Sequence, residues 1–213
     1  MEVHETKGLR ITKLAGLGPY DNNAYIIADP SANEALIVDM PSGSSAVLDT
    51  LGDLTVKAII LTHTHPDHWG DYDLVKNATG APVRCHRAET IMPLDKNDEP
   101  LFDEDEIAVG GHSVKAIYTP GHTPGSTCFL AGDVLISGDA LFPGGPGRTN
   151  TPEDLQQSIQ SITSRLYELP DDVKVLPGHG GDTTIGQSKK EYEVFASKEH
   201  PSDLCGDVLW ESS

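Results

Sequence analysis

Four potential metal ligands fall within six residues of this chain, directly after an apolar segment. The segment is Ala58–Leu61, which is typical of a buried strand, and the ligands are His63, His65, Asp67 and His68. Imidazole and carboxylate groups bind zinc, iron and similar divalent ions. A buried strand that runs directly into metal ligands is a known architecture of functional sites, so this segment constrains the fold more than any other.

The spacing of these ligands predicts two ion positions. Side chains two residues apart point the same way along an extended segment, so His63, His65 and Asp67 are predicted to converge on one side. The bend around Pro66 would turn His68 towards a second ion. We interpret four other histidines as ordinary surface or core residues, namely His4, His86, His112 and His200.

Three further segments share one local pattern, in which a β-prone run is followed by a glycine and then by a potential ligand. The ligands are His122, Asp139 and His179. Glycine adopts backbone angles that other residues avoid, so the chain can turn sharply off a strand and present the next side chain to a cleft. Each segment alone is more often a plain turn. Together with the histidine cluster they supply seven ligands, which is enough for two ions with room for water.

These motifs together resemble those of the metallo-β-lactamase superfamily, and within it the glyoxalase II (hydroxyacylglutathione hydrolase) branch of the short bacterial type. The resemblance extends from about Tyr20 to about Gly186. Its motifs are His-x-His-x-Asp-His at 63–68, Pro-Gly-His-Thr-Pro-Gly-Ser at 120–126, Ser-Gly-Asp-Ala-Leu-Phe at 137–142 and Pro-Gly-His-Gly at 177–180. The family implies an α/β fold, a four-layer αββα sandwich with the metal site at one rim of its two sheets. We expect one such hydrolase domain over residues 1–213.

The resemblance also implies how the ligands divide between two divalent ions, which we expect to be zinc, with iron or manganese as alternatives. One ion would be bound by His63, His65 and His122. The other would be bound by Asp67, His68 and His179, and Asp139 would bridge the two ions. Ligand types alone do not distinguish these metals, because all of them accept imidazole and carboxylate.

For activity, the resemblance implies a metal-dependent hydrolase. We expect a thioesterase that acts on hydroxyacyl-glutathione-type substrates through a metal-bridging hydroxide. Asp67 is the expected catalytic residue, because it would orient the nucleophile and accept its proton. A thiolate leaving group needs little acid assistance, since thiol pKa values are about 8.5. Arg148, in the loop after Asp139, is the candidate substrate-binding residue because a guanidinium pairs well with a carboxylate.

The sequence leaves several alternative functions open. Mononuclear iron persulfide dioxygenases share the ligand motif and a Gly-Arg-Thr tripeptide, here residues 147–149. The same metal chemistry also opens lactones. A non-catalytic metal protein is disfavoured because a purely structural site is closed by four ligands. β-Lactam hydrolysis is disfavoured because antibiotic-hydrolysing members place a cysteine at or near the position of Asp139, whereas the cysteines here are Cys85, Cys128 and Cys205.

The charge balance argues against a nucleic-acid partner. Lysine and arginine total 15 against 33 acidic residues, whereas nucleic-acid binders carry a basic face. The polar segment Met1–Lys7 lacks the apolar core of a signal peptide, and no run approaches the length of a transmembrane span. We therefore expect a cytoplasmic enzyme with a small-molecule thioester substrate and no membrane partner. The sequence does not determine whether the chain forms an oligomer.

Hydrophobic patterning predicts alternating strands and helices. Strands are predicted near 9–14, 24–28, 35–39, 57–61, 82–85, 113–118, 127–130, 133–137 and 173–176. Helices are predicted near 44–51, 68–79, 152–167 and 186–197. The third helix has a clear start, since Thr151 suits the N-cap and Pro152 the first helical position. The acidic stretch from Asp95 to Glu106 is predicted to be an exposed loop.

Overall fold

A computed structural model describes all 213 residues and contains two six-stranded mixed sheets. The first sheet contains, in spatial order, β1 (Glu2–Thr6), β2 (Leu9–Leu17), β3 (Asn22–Asp29), β4 (Glu34–Val38), β5 (Thr55–Ile60) and β6 (Val83–Arg84). The second contains β7 (Glu106–Val109), β8 (His112–Tyr118), β9 (Thr127–Ala131), β10 (Val134–Gly138), β11 (Lys174–Pro177) and β12 (Thr183–Thr184). The α-helices are α1 (Ser45–Leu51), α2 (Tyr72–Thr79), α3 (Pro152–Ser161) and α4 (Ile185–Ala196).

Three apolar clusters show how these elements stack into four layers. Alternate residues of the two sheets, such as Tyr25 and Ile27 on β3 and Phe129 on β9, form the cluster between the sheets. The intervening residues face outwards and pack against helices, because successive side chains on a strand point to opposite faces. Helices α1 and α2 cover the first sheet, and α3 and α4 cover the second. The αββα sandwich expected from the motifs is therefore confirmed.

The buried strands and the four helices lie close to their predicted positions, and the differences occur at sheet edges and helix ends. Helix α2 begins at Tyr72 instead of residue 68, because Pro66–His68 form a separate 3₁₀ turn. Helix α3 ends at Ser161, and a π-helical turn continues it to Leu166. Its start is as predicted: Thr151 and Asp154 form a capping box.

Three strands are not predicted by the patterning. They are β1, β7 and β12, and each is an outermost strand of its sheet. The interval 95–106 does not remain a loop to its end, since β7 begins at Glu106 and pairs with β8. Strands β1 and β12 carry mainly polar residues, which give little hydrophobic signal in a sequence, and β7 has only four residues, too few for a clear alternation. No helix combines the length and the apolar composition that a transmembrane span requires.

Strand direction determines where the chain can build a site. Strands β4, β5 and β6 run parallel in the first sheet, and β8, β10 and β11 point the same way in the second, so several strands of each sheet end at one rim of the sandwich. The residues that follow these ends lie next to one another across the two sheets. At this rim, the backbone N–H of Asn23 donates to the carbonyl of Gly178 at 2.7 Å, which connects the first sheet to the second.

Candidate metal centre

The seven predicted ligands come together at this rim, although they lie on four segments of the chain. The turn from His63 to His68 follows β5. His122 follows β8, Asp139 follows β10 directly, and His179 follows β11. Three groups of side chains have ligand atoms within 4.8 Å of one another, namely His63/His65/His122, His63/His68/Asp139 and Asp67/His68/His179.

The first triad consists of three histidines whose ring nitrogens face a common point. Nε2 of His63 lies 3.0 Å from Nδ1 of His65. Nε2 of His122 lies 3.3 Å from the same His63 atom and 2.9 Å from the same His65 atom. His63 is buried, while His65 and His122 are partly exposed, so one side of the triad is open.

The second triad consists of Asp67, His68 and His179. Nε2 of His68 and Nε2 of His179 are 3.2 Å apart. Oδ2 of Asp67 lies 3.5 Å from the His68 atom and 3.4 Å from the His179 atom. The triad therefore offers two imidazole nitrogens and one carboxylate oxygen to a single point.

Asp139 lies between the two triads. Its Oδ1 is 3.5 Å from Nε2 of His68, and its Oδ2 is 3.6 Å from Nε2 of His122 and 3.6 Å from Nε2 of His179. Oδ1 is buried and has no hydrogen-bond partner. An unpartnered buried carboxylate oxygen is costly, so this atom points to a cation between the triads.

The spacing of the ligand atoms fits divalent ions. In a tetrahedral site with metal–nitrogen bonds of about 2.0–2.1 Å, neighbouring ligand nitrogens lie about 3.3 Å apart. The measured distances within the first triad are 2.9, 3.0 and 3.3 Å. Lone pairs that face one another at this range repel unless a positive charge lies between them. The residues present therefore fit the two-ion centre expected from the motifs.

Hydrogen bonds to the outer ring nitrogens orient most of these imidazoles. Nδ1 of His122 donates to the carbonyl of Arg148 at 2.8 Å, and Nδ1 of His179 donates to the carbonyl of Tyr20 at 2.9 Å. A donor at Nδ1 leaves Nε2 unprotonated, which is the form that binds a metal. The backbone thus selects the ligand tautomer of both histidines.

Asp39 is a site residue that the motifs did not identify. It is buried, its Oδ2 accepts from Nδ1 of His68 at 2.9 Å, and both its oxygens accept from Thr62, at 2.8 Å each. A usable signal was present, because Asp39 directly follows β4 as Asp139 directly follows β10. A left-handed φ of 61° at Asp39 marks the same sharp turn off a strand that glycine provides elsewhere.

Burial and charge act in opposite directions on the ligand pKa values. Burial, supported by the neighbouring imidazoles, lowers the pKa of His63 well below its ordinary value, which keeps this ring neutral. Burial also opposes protonation of His68, but Asp39 and Asp139 outweigh it and raise its pKa to about 9. Without bound ions, these carboxylates therefore favour a protonated, positively charged His68. The same carboxylates would stabilise a cation bound at this position.

The geometry corrects one prediction made from spacing alone. His63 and His65 converge as expected for alternate residues, but Asp67 does not join them. The extended backbone ends at His65, because Pro66 begins the 3₁₀ turn that directs Asp67 and His68 to the same point. The structure groups Asp67 with His68 and His179, the three side chains that the family motifs assign to the second ion.

A cavity of about 270 Å³ opens beside His122 and Asp139 and is lined by the loop after β10 and by the end of the chain. Arg148, the candidate substrate-binding residue, lies in this lining. Its Nη1 donates to Oδ2 of Asp207 at 2.6 Å, and its side chain is 65% exposed. A larger groove of about 520 Å³ lies over β1–β3 and α1, away from the seven ligands.

The four histidines interpreted as structural lie outside the two triads. His4 nevertheless forms a group with Glu2 and Asp182. Nζ of Lys174 donates to Nδ1 of His4 at 3.3 Å, which places the ring proton on Nε2, the nitrogen that faces Asp182. Lys13 also donates to Asp182. Two ammonium groups and a protonated ring nitrogen make this group a poor cation site.

Comparison with known sequences agrees with this geometry. A family model described as the metallo-beta-lactamase superfamily matches residues 17–179. An uncharacterised protein of Aquifex aeolicus (strain VF5) is 32% identical over 207 residues, with 88% of this chain and 98% of the relative covered. The probable metallo-hydrolase YqgX of Bacillus subtilis (strain 168) is 33% identical, with 79% and 90% covered. The hydroxyacylglutathione hydrolase GloC of Haemophilus influenzae is 31% identical, with 84% and 95% covered.

Solved structures show the same similarity. The BLEG-1 B3 metallo-beta-lactamase superposes with a TM-score of 0.73 at 31% identity, covering 84% of this chain and 96% of that one. ETHE1 from Myxococcus xanthus gives 0.76 at 27% identity, covering 89% and 85%. TTHA1623, solved in a di-iron-bound form, gives 0.70 at 29% identity, covering 84% and 97%.

Proposed function

The chain belongs to the metallo-β-lactamase superfamily, and we propose that it is a two-metal hydrolase of hydroxyacyl-glutathione-type thioesters. The hydrolase-named relatives support metal-dependent hydrolysis, and the similarity to GloC supports the thioester substrate. One observation carries the proposal: Asp139 lies between two complete triads whose open side faces a cavity that contains a guanidinium.

Two divalent ions bound by these residues would lower the pKa of a shared water towards neutrality and polarise the substrate carbonyl. Zinc is our expectation for both positions, and the di-iron form of TTHA1623 keeps iron as an alternative.

Asp67 is suited to handle the proton of the nucleophile. Burial raises the pKa of its carboxyl group, but the adjacent His179 ring and the amide of Asn22 outweigh burial and hold that pKa well below its ordinary range. Nδ2 of Asn22 donates to Oδ2 at 2.8 Å, so one oxygen is fixed and the other remains to accept from water. An ionised, oriented carboxylate next to the reacting groups can position a water and accept its proton.

The cavity beside the triads is suited to the thiol part of a substrate. Phe142 and Leu209 supply apolar surface, and Arg148 supplies a cation for a carboxylate. The departing thiolate needs little protonation because thiol pKa values are about 8.5. The chain therefore needs no general acid at the leaving group, which distinguishes thioesters from amides as substrates.

A second candidate function is that of a mononuclear iron persulfide dioxygenase. Two observations favour it: the Gly-Arg-Thr tripeptide at 147–149, and the similarity to ETHE1. The two candidates differ in their dependence on oxygen, because thioester hydrolysis consumes only water.

The test uses purified protein loaded separately with zinc and with iron. Each form is assayed with S-D-lactoylglutathione, a lactone, a β-lactam and, with an oxygen electrode, glutathione persulfide. The β-lactam is included because BLEG-1 is a B3 metallo-beta-lactamase. We expect thioester hydrolysis without oxygen uptake. Oxygen uptake with persulfide and an inert thioester would replace our proposal with the second candidate.

A further inference from the structure

A buried carboxylate, that of Glu89, lies behind the first triad. It is only 5% exposed and follows β6 in a turn closed by the hydrogen bond from its own N–H to the carbonyl of His86, at 3.0 Å. The side chain is not directed at the ions, and no role in the chemistry described above involves it. A buried carboxylate persists only where donors compensate for the loss of water.

The two oxygens of Glu89 accept hydrogen bonds from two different loops. Oε2 accepts from the backbone N–H of Thr64 at 3.2 Å and from its hydroxyl. Oε1 accepts from the backbone N–H of Gly125 at 3.0 Å and from the hydroxyl of Thr123. Each loop therefore contributes one N–H and one O–H, and a single carboxylate joins the two.

These two loops carry all three ligands of the first triad. Thr64 lies between His63 and His65 in the sequence, and Thr123 directly follows His122. The first of these loops also carries Asp67 and His68 of the second triad, but both lie beyond Pro66 in the 3₁₀ turn, and neither is next in sequence to a residue that bonds to Glu89. His179 follows β11, with which Glu89 forms no hydrogen bond. The carboxylate is thus connected to one ion position much more closely than to the other.

Close packing at Gly125 shows that this connection is a built feature. A Cβ at Gly125 would lie 2.5 Å from Cγ and 2.8 Å from Oε1 of Glu89. The position has no left-handed φ that would itself require glycine. The backbone nitrogen of Glu89 would also lie 2.7 Å away, so both the backbone and the side chain of Glu89 leave no room for a Cβ at position 125.

We propose that Glu89 is a positioning residue that holds His63, His65 and His122 in register and so sets the affinity of the first ion site selectively. The proposal rests on the two-metal centre of the proposed function and is independent of the thioester substrate. Outer groups that orient ligands typically contribute about 10–100-fold to metal affinity.

The test is E89Q, which keeps the shape of the side chain but replaces one acceptor oxygen by an NH₂ group. Metal-free protein is titrated with Zn²⁺ against a chromogenic chelator, in the wild-type, H179A and H65A backgrounds. In H179A, where the first triad is intact, E89Q should weaken zinc binding by about 10–100-fold. In H65A, where the second triad is intact, E89Q should leave zinc affinity within about threefold, because Asp67, His68 and His179 are not sequence neighbours of any residue that bonds to Glu89.

The matched control is D29N. Asp29 is also buried, at 2% exposed, and its carboxylate likewise accepts from several donors, including Ser31, Ala32 and Gly111, far from the ligands. The D29N substitution should destabilise the fold without changing zinc affinity in the H179A or the H65A background. If E89Q does not fold, T123V serves instead, since it removes one of the four donors and should give a smaller loss confined to the first site.

The outcomes separate this proposal from the proposed function. Unchanged zinc affinity in both backgrounds, an equal loss in both, or an equal loss with D29N would each overturn the role of Glu89. None of these results depends on whether any thioester is hydrolysed, so failure of the substrate assignment leaves the test intact.

Discussion

At the scale of single residues, the carboxylate of Asp139 lies within 3.6 Å of ligand nitrogens from both triads. We expect D139A to lose both ions and all hydrolysis, whereas H65A and H179A should each lower the metal content by about one ion while abolishing turnover. Metal analysis after dialysis, alongside rate measurements, checks this. A D139A protein that retains two ions and the full rate would remove Asp139 from the centre.

The pair of Arg148 and Asp207 leads to a second prediction at this scale. The only cation of the cavity lining is already paired at 2.6 Å, so a substrate carboxylate must compete with Asp207 for it. Exposed ion pairs contribute about 0–1 kcal/mol, so D207N should raise kcat/KM for a glutathione thioester by up to about fivefold. A thioester of the neutral thiol N-acetylcysteamine should show no such gain.

The control for this prediction is D203N, an exposed acid of the same segment that forms no ion pair. If D203N and D207N change kcat/KM equally for the two thioesters, the loss of a negative charge explains the effect and Arg148 does not select the substrate. If R148Q removes the gain from D207N, the pair is the cause.

Residues also show the limit of prediction from motifs. The seven ligands were predictable because each stands in a local pattern of strand, turn and ligand. Asp39 and Glu89 were not predicted, because their roles depend on contacts with residues 23 to 36 positions away in the sequence. Asp39 does directly follow a strand, as a ligand would, but no local pattern shows its bond to His68 or the bonds of Glu89.

At the scale of elements, the ligands depend on how closely the turns after β10 and β11 approach each other. A Cβ at Gly178 would lie 2.2 Å from Oδ1 of Asp139 and 2.7 Å from Cε1 of His68. We therefore expect G178A to displace the bridging carboxylate and to lower activity by at least about 100-fold, as misplacement of about 1 Å can do. The neighbouring variant G181A is the control, since a Cβ there meets no atom within 4 Å.

The result that would contradict this is a G178A protein with the same metal content and rate as G181A. Unchanged metal content and rate would mean that the turns after β10 and β11 can move apart without loss of ions or activity. The centre would then not require their close approach.

Most elements with a buried apolar face were predicted close to their observed bounds, while β1, β7 and β12 were not predicted. Strand β7 has two buried residues, Ile107 and Val109, but its four residues are too few for a clear pattern. The buried strands carry continuous or alternating apolar residues, and burial itself creates that signal. Strand β1 is mostly exposed and its residues 2–6 pair with β2 through the backbone, which any side chain permits. Backbone pairing at an edge leaves little mark on a sequence.

At the scale of the whole molecule, the two sheets meet at the metal centre, so ion binding should stabilise the entire fold. Each ion adds about 2.7 kcal/mol when its free concentration is 100 times its Kd. In a chain of this length that corresponds to a Tm decrease of about 10–20 °C on removal of both ions. Calorimetry before and after chelation, followed by zinc addition, measures the difference, and D139A should show little response to zinc.

An unchanged Tm on chelation and zinc addition would contradict the coupling between centre and fold. It would mean that the five imidazoles and two carboxylates hold their positions equally well without cations, against the expectation from their facing lone pairs and the unpartnered oxygen of Asp139.

The most direct test of the central claim is the steady-state hydrolysis of S-D-lactoylglutathione by protein that contains two ions per chain. We predict a kcat/KM within the range of about 10⁴–10⁸ M⁻¹s⁻¹ that is usual for enzymes on their own substrates. The rate should disappear in H65A. No hydrolysis of this thioester or of the N-acetylcysteamine thioester above the buffer rate, by protein shown to hold both ions, would contradict the thioester hydrolase assignment.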